Sequence, residues 1–288
     1  MDLSIIIVNY NTKKLTIEAI QSIYSSQTKY TFEIILVDNA SSDGTIEAVQ
    51  ERFPQVRCIQ NKENEGFSKA NNIGLKVAKG RYLLLLNSDT VVQEDTFDVM
   101  LEFMDNHPSV GASGCKVVLP DGSLDKACRR GFPTPAASFY YFTRLAKLFP
   151  NSSRFNQYHM GHLDENDDYP VDCLVGAFML VRREIINDVG LLDEEYFMYG
   201  EDIDWCYRIK EAGWDNYYYP KTSIIHYKGA SSRRKPRKIV YEFHRAMYLF
   251  HRKHFHKKYN LLVNATVYAG IAAKGALALA MNRLRKQR

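Results

Sequence analysis

The chain has 288 residues, 45% hydrophobic and 25% charged, a balance that excludes a disordered chain and allows one large folded domain with an appendage. Five widely spaced cysteines without a CxxC pair argue against a disulfide framework or zinc cage and favour a reducing compartment. The net charge of +5 hides an asymmetry: residues 1–227 carry 22 Lys and Arg against 32 Asp and Glu, whereas residues 228–288 carry 16 against 1.

The start, MDLSIIIVNYN, lacks the basic region and long apolar stretch of a signal peptide, so a cytoplasmic location is expected. SIIIVNY (4–10) is a continuous β-branched run, as expected of a strand buried on both faces. A helix is predicted over 14–26 and a second strand over FEIILVDN (32–39). Residues 42–53 read as a helix opened by Ser and Asp capping chemistry, 56–61 as a short strand, 68–78 as a helix, and RYLLLLNSD (81–89) as a fourth strand. Strands alternating with helices imply right-handed βαβ units, hence an α/β fold with a Rossmann-like, mostly parallel sheet. Such sheets bind ligands at the carboxyl ends of their strands, where Asn9, Asp38, Asn61 and Asp89 fall. The stretch 110–175 reads as less regular, with a polar loop over 151–169. Beyond it, 171–183 reads as a strand entering a helix, 201–212 as a helix, and 217–227 as a late strand.

No GxGxxG follows the first strand, which disfavours a dinucleotide dehydrogenase. VDNASSDGT (37–45) ends a strand on Asp38, a fixed carboxylate able to accept hydrogen bonds from a nucleobase or ribose. The same turn also serves as a helix cap through Ser42 and Asp43. In NKENEGFSKANNIGL (61–75), Gly66 permits close backbone approach to a ligand, and Asn71 and Asn72 open a helix where amides can meet phosphate or ribose. LLLLNSDT (83–90) drives a buried strand into Asp89, a costly placement unless a cation or donors meet the carboxylate. A hard divalent metal bridging it to a diphosphate would supply that charge. FMYGEDIDWCYRIKEAGW (197–214) sets Glu201, Asp202 and Asp204 at a helix start, where acidic side chains also favour the helix dipole. IIHYKGASS (224–232) ends a strand on His226.

The order VNYN, VDNASSDGT, NEGFSKANN and NSD resembles the nucleotide-binding half of family 2 inverting glycosyltransferases of the GT-A fold, and the segment 197–214 extends the likeness over roughly residues 3–255. The resemblance implies that Val8, Asn9, Tyr10, Asp38, Asn39, Asn64, Gly66, Asn71, Asn87 and Ser88 contact a nucleotide-sugar donor. It implies that Asp89 and His226 hold Mg²⁺ or Mn²⁺, with Asn87 standing where the family often has the first Asp of its metal motif. It makes Asp202 the general base and puts Gly176, Glu201 and Trp205 on the acceptor side. Trp205 also suits packing, and Asp204 a structural pairing with Arg208 one turn on. The closest branch is that of rhamnosyltransferases of cell-surface polysaccharide synthesis, with dTDP-L-rhamnose as the leading donor. A UDP-hexose transferase and a catalytically silent nucleotide-sugar-binding subunit are the alternatives. The implied domains are a GT-A unit over 1–232, divided into nucleotide (1–110) and acceptor (111–232) halves, and an extension over 233–288.

In that extension, Ile239, Phe243, Met247 and Phe250 recur at helical spacing among Lys and Arg, which predicts an amphipathic helix over 236–259. Residues 261–281 are apolar and alanine-rich but interrupted by Asn264 and Lys274, so an interfacial helix is expected rather than a span. With Arg283, Arg285, Lys286 and Arg288 behind it, the tail is expected to meet the anionic inner face of a membrane, beside a lipid-linked saccharide acceptor. An oligomer-forming helix is the competing reading. No nucleic-acid module accompanies the charge, and no nucleic-acid partner is expected.

Overall fold

The computed structural model describes residues 1–228 and 237–286, with side chains through 283. The expected boundary at 232/233 and Arg288 lie outside the described residues, as do the side chains of Arg285 and Lys286.

Strand β1 (Leu3–Asn9) takes the middle of a parallel block because Ile5, Ile6 and Ile7 are apolar in succession and all fully buried. It pairs in parallel with β2 (Phe32–Asp38) and with β4 (Tyr82–Asn87), and β2 pairs in parallel with β3 (Arg57–Gln60). Helices α1 (Lys13–Ser25), α2 (Thr45–Arg52) and α3 (Phe67–Val77) make the crossovers. After β4 the chain forms the short β5 (Thr90–Val92), α4 (Thr96–Asn106) and β6 (Val110–Val118). Helices α5 (Pro135–Phe142) and α6 (Leu145–Leu148) precede β7 (Tyr169–Val171). Then come β8 (Phe178–Arg182), α7 (Glu184–Val189), α8 (Glu201–Glu211) and β9 (Asp215–His226). The sheet order is β3-β2-β1-β4-β8-β6-β9-β5, with β7 paired to β9. β8 runs antiparallel between β4 and β6, so the two halves expected on either side of residue 110 share one sheet.

Two elements differ from the sequence expectation. The 110–175 stretch begins with the nine-residue β6, whose Gly111, Ala112, Ser113 and Gly114 lack the β-branched signature of a strand. The two glycines are small because neighbours press on them: a Cβ on Gly114 would crowd Leu174, and one on Gly111 would crowd Ile185 and Trp214. The predicted 236–259 helix is α9 (Arg237–Phe250) followed by a single wide turn, His251–Phe255. Its buried face is His244, Ala246, Leu249 and Phe250, and Phe243 of the expected stripe is exposed.

The basic extension first meets the protein's own acidic body. Lys253 pairs with Asp193 and Glu195, Arg252 with Glu195 at 3.3 Å, and His254 Nε2 lies 2.7 Å from Asp204. Part of the charge asymmetry is therefore neutralised within the chain. α10 (Leu261–Lys286) then packs on α9, fastened by His251 Nε2 at 2.7 Å from the buried Asn264 Oδ1.

Candidate active site

Three strand ends and a loop build one side of the site. Asn9 closes β1 with every polar side-chain atom engaged: Nδ2 donates to Asp38 Oδ1 (2.7 Å) and Ser41 Oγ (2.9 Å), while Oδ1 accepts from Thr12 and Thr16. Asp38 Oδ2 accepts from the Ser41 amide (2.8 Å), which curls 38–45 into a turn. Asp38, Ser41, Ser42, Gly44, Thr45 and Gln60 line an open cavity of about 230 Å³. Asn39 reaches across to the 61–66 loop, donating to Gly66 O (2.9 Å) and Asn64 Oδ1 (3.2 Å) and accepting from Asn61 Nδ2 (2.9 Å). Val8 is half-buried in register with Asn87, and Tyr10 is exposed beyond the strand end.

Three expectations change here. Gly66 (φ +83°) is needed for the protein's own packing, since a Cβ there would collide with the Phe197 carbonyl and ring. Asn71 is buried and donates to Phe67 O (2.9 Å) in its own helix. Asn72 bridges Leu192, donating to its carbonyl (2.8 Å) and accepting from its amide (3.1 Å). Gly66 and Asn72 thus pack α3 against the 192–197 loop, while Asn71 is tied into its own helix.

At the end of β4, Ser88 Oγ lies 3.1 Å from Thr12 Oγ1, and the half-buried Asn87 sits 3.4 Å from His226 Nε2. Strand β9 delivers His226 opposite Thr90, so its Nε2 lies 3.2 Å from Asp89 Oδ1. The other ring nitrogen, Nδ1, is 3.3 Å from Asp125 Oδ2, and Lys228 Nζ donates to both Asp125 oxygens (2.9 and 3.1 Å). Burial opposes charge on His226, but hydrogen bonds to Asp125 and Asp89 outweigh it and raise its pKa to about 9. Burial likewise works against the Asp125 carboxylate, yet His226 and Lys228 hold it well below the usual range. One carboxylate and one imidazole, oriented from behind by a second carboxylate, could hold a divalent cation only if further ligands, such as diphosphate oxygens, completed its shell. A cation at Nε2 would displace the proton stabilised there.

The third part of the site is the start of α8. Asp202 is nearly buried; Oδ2 accepts from Arg130 Nη2 at 2.7 Å and Oδ1 from the Ile203 amide at 2.8 Å. Arg130 also donates to Leu174 O (2.6 Å), and the Asp202 charge overcomes burial to hold the guanidinium ionised. Glu201 is buried with Oε2 lacking a protein partner. Burial, and then the Asp202 charge, raise its pKa to about 8. Gly176 faces this helix: a Cβ there would stand 4.0 Å from Asp202 Cβ and 3.3 Å from the Phe67 ring. One residue on, Ala177 O accepts from the Asn87 amide at 3.1 Å. Asn87, two residues before Asp89, and Asp202 at the start of α8 therefore flank a single stretch, 176–177.

The model of the family described as Glycosyl transferase family 2 matches residues 4–190, well over half of the chain. The chain belongs to that family. A curated relative, the N-acetylglucosaminyl-diphospho-decaprenol L-rhamnosyltransferase of Mycobacterium tuberculosis, is 30% identical over 237 residues, covering 78% of this chain and 76% of the relative. Among solved structures, the GDP-Man and Mn²⁺ complex of the Pyrobaculum calidifontis mannosyltransferase PcManGT has a TM-score of 0.57 at 19% identity, covering 99% of this chain and 80% of that one. S. aureus TarS 1–349 has a TM-score of 0.58 at 18% identity and covers 86% of this chain, which spans only 64% of that structure. At such identities the structural likeness shows the GT-A fold.

In this family 2 glycosyltransferase, the expected Asp38, Asn39, Asn64, Asn87, Ser88, Asp89, Gly176, Glu201, Asp202 and His226 gather along the carboxyl edge of the sheet. Trp205 does not join them. It is fully buried with Nε1 donating to Gly190 O at 3.0 Å, so it packs α8 and presents no face to a ligand. Asp204 is structural, holding Arg208 (2.8 Å) and His254 (2.7 Å). The sequence reading missed Asp125 and Arg130, whose partners lie 101 and 72 residues away. Only the adjacent Arg129 and Arg130, two cations at the head of a long acid-free stretch, offered a signal.

Glu201 also yields a stability prediction. Its pKa rises from an ordinary 4.5 to about 8 in the folded chain, so the folded state holds more protons across that window. Stability therefore falls as pH rises from about 4.5 to about 8. Glu201→Gln is expected to match the parent in thermal melts near the low end and to exceed it at the high end. The gap should be several degrees, at about 2–4 °C per kcal/mol. Equal melting temperatures at both ends would refute a neutral, desolvated Glu201.

Proposed function

We propose that this family 2 glycosyltransferase transfers L-rhamnose from dTDP-L-rhamnose, with inversion, to a lipid-linked saccharide in cell-surface polysaccharide synthesis. The observation that carries the transfer chemistry is that residues 176–177 meet Asn87, two residues before Asp89, on one side and Asp202 on the other, an arrangement that would put the diphosphate end of a donor beside a base. The turn 38–45 and the Asn64 amide group, held in place by Asn39, would hold the nucleoside. Asp89 and His226 would hold Mg²⁺ or Mn²⁺, which when bound neutralises the diphosphate leaving group. Asp202 would take the proton of the acceptor hydroxyl as that oxygen attacks the anomeric carbon from the side opposite the diphosphate, and one displacement inverts the configuration. Arg130 fixes the Asp202 carboxylate, and Glu201, neutral below about pH 8, can donate a hydrogen bond to the acceptor sugar. The rhamnosyl donor and lipid-linked acceptor rest on the mycobacterial relative, whose name states both the L-rhamnosyl group and the decaprenol-linked substrate.

The extension supports a site at the cytoplasmic membrane face. Residues 261–283 form one helical run whose most apolar 18-residue window has mean hydropathy 1.4 and is 11% buried. Lys274 at its middle favours a helix lying in the interface. The full chain should bind vesicles containing phosphatidylglycerol and be partly released by salt, because headgroup attraction is screened.

A panel of dTDP-L-rhamnose and UDP-hexoses, each with a polyprenyl-diphospho-sugar acceptor, tests the reading by nucleotide release. Release from dTDP-L-rhamnose that depends on the acceptor is expected. Release from a UDP-hexose alone would reassign the donor, and none from any member of a broad panel would favour a nucleotide-sugar-binding subunit.

A further inference from the structure

We infer that α5 and α6 form, together with α10, one continuous surface that docks on an anionic bilayer, with α5–α6 rather than the tail setting the depth of the acceptor side. The inference rests on the transfer reading only for its purpose, not for its physical grounds. Phe139 (58%), Phe142 (50%), Leu148 (69%) and Phe149 (51%) are exposed in or just beyond two short helices, where large apolar groups gain nothing by facing water. Leu277 on α10 is also exposed, at 62%. The two elements are far apart in sequence yet meet in space: Lys274 Nζ of α10 lies 3.6 Å from the centre of the Phe142 ring.

Charge identifies the occupant. Residues 126–163, which contain α5 and α6, carry six Lys and Arg and no Asp or Glu. Residues 261–283 of α10 carry Lys274 and Arg283 and no acid. Aromatic and aliphatic side chains on two segments whose own charges are all basic match a bilayer with anionic headgroups. The hairpin also begins close to the chemistry. Pro135, the first residue of α5, follows Arg130 by five positions, and Arg130 is bonded to the candidate base. Phe132 between them packs edge-on against Tyr207 of the base's helix, ring centres 4.9 Å apart. A bilayer beneath α5–α6 thus holds a lipid-anchored acceptor within a short chain length of Asp202.

The test uses the full chain and vesicles of equimolar phosphatidylcholine and phosphatidylglycerol. A Phe139→Ser, Phe142→Ser, Leu148→Ser variant changes only exposed side chains. It should lose about tenfold or more in vesicle partitioning while releasing nucleotide with a water-soluble acceptor at the parent rate. A separate Leu148→Trp variant should gain emission that is quenched by bromine on the lipid acyl chains. Unchanged partitioning of the triple variant overturns the proposal, as does emission from the introduced indole that ignores brominated lipid. A parent dimer that the triple variant turns into a monomer, with vesicle binding intact, overturns it too and makes the face a contact between copies. Vesicle binding by a chain that releases no nucleotide upholds the surface and sinks the transfer reading, so the two failures are separable.

Discussion

Replacing Asp202 with Asn should lower turnover about 10²–10⁴-fold while leaving donor affinity nearly unchanged. The amide keeps the size of the side chain and can still meet Arg130 through its oxygen, but it cannot accept the acceptor's proton. The donor elements in the 38–66 region are built from other parts of the chain, so binding measured by calorimetry should hold while turnover collapses. The neighbouring Glu201 makes the experiment discriminating. It is buried, lacks a partner at Oε2 and has a pKa raised to about 8, so it is a stronger but mostly protonated base at neutral pH. If Asp202→Asn turns over near the parent rate and Glu201→Gln does not, the base is Glu201. Parallel loss in both would mean that the pair shares the proton.

Asp89→Ala should cost about 10³-fold or more, since stabilising a leaving diphosphate is a matter of several kcal/mol. The fold should survive, because the side chain lies in the short link between β4 and β5 and its removal leaves no buried apolar cavity. Binding of Mn²⁺, followed by electron paramagnetic resonance of the free ion, should weaken in parallel. Asn87 offers an independent check: with an amide where a second carboxylate could stand, the parent should release its metal readily on dialysis, and Asn87→Asp should retain it longer. Full turnover of the parent after exhaustive EDTA treatment would remove the metal from the mechanism, leaving His226 as an imidazolium facing the diphosphate.

The half of the fold that spoke through the sequence is the half whose strands are continuous aliphatic runs. SIIIVNY and LLLLN announce burial on both faces, and polar residues terminating those runs mark the ligand edge. β6 was silent because crowding by Leu174, Ile185 and Trp214 demands glycine at 111 and 114, where a strand signature would need valine. Asp89, Asp202 and His226 were legible as charges misplaced at the ends of apolar elements. Asp125 was not: it occupies a turn where Asp is commonplace, and its meaning lies in contacts with His226 and Lys228. Trp205 and Asn71 show the converse. Their motif positions suggested a ligand, but each side chain satisfies a backbone carbonyl within the core. The extension was read correctly as helical and basic, though Arg252, Lys253 and His254 answer Asp193, Glu195 and Asp204 of the same chain.

The placement of β9 between β6 and β5 decides where the protein can be cut. The family match ends at residue 190, yet a chain ended there would leave β6 with an open nine-residue edge and β5 without its partner. Such edges recruit other chains, so that fragment should accumulate as aggregate; recovery of a monomer would contradict this. It would also lack Asp202 and His226. A working expression unit therefore extends past His226, and because His254 is seated on Asp204 it must reach at least Phe255. Any fusion partner belongs after α10 or ahead of β1, not at the border that sequence similarity draws.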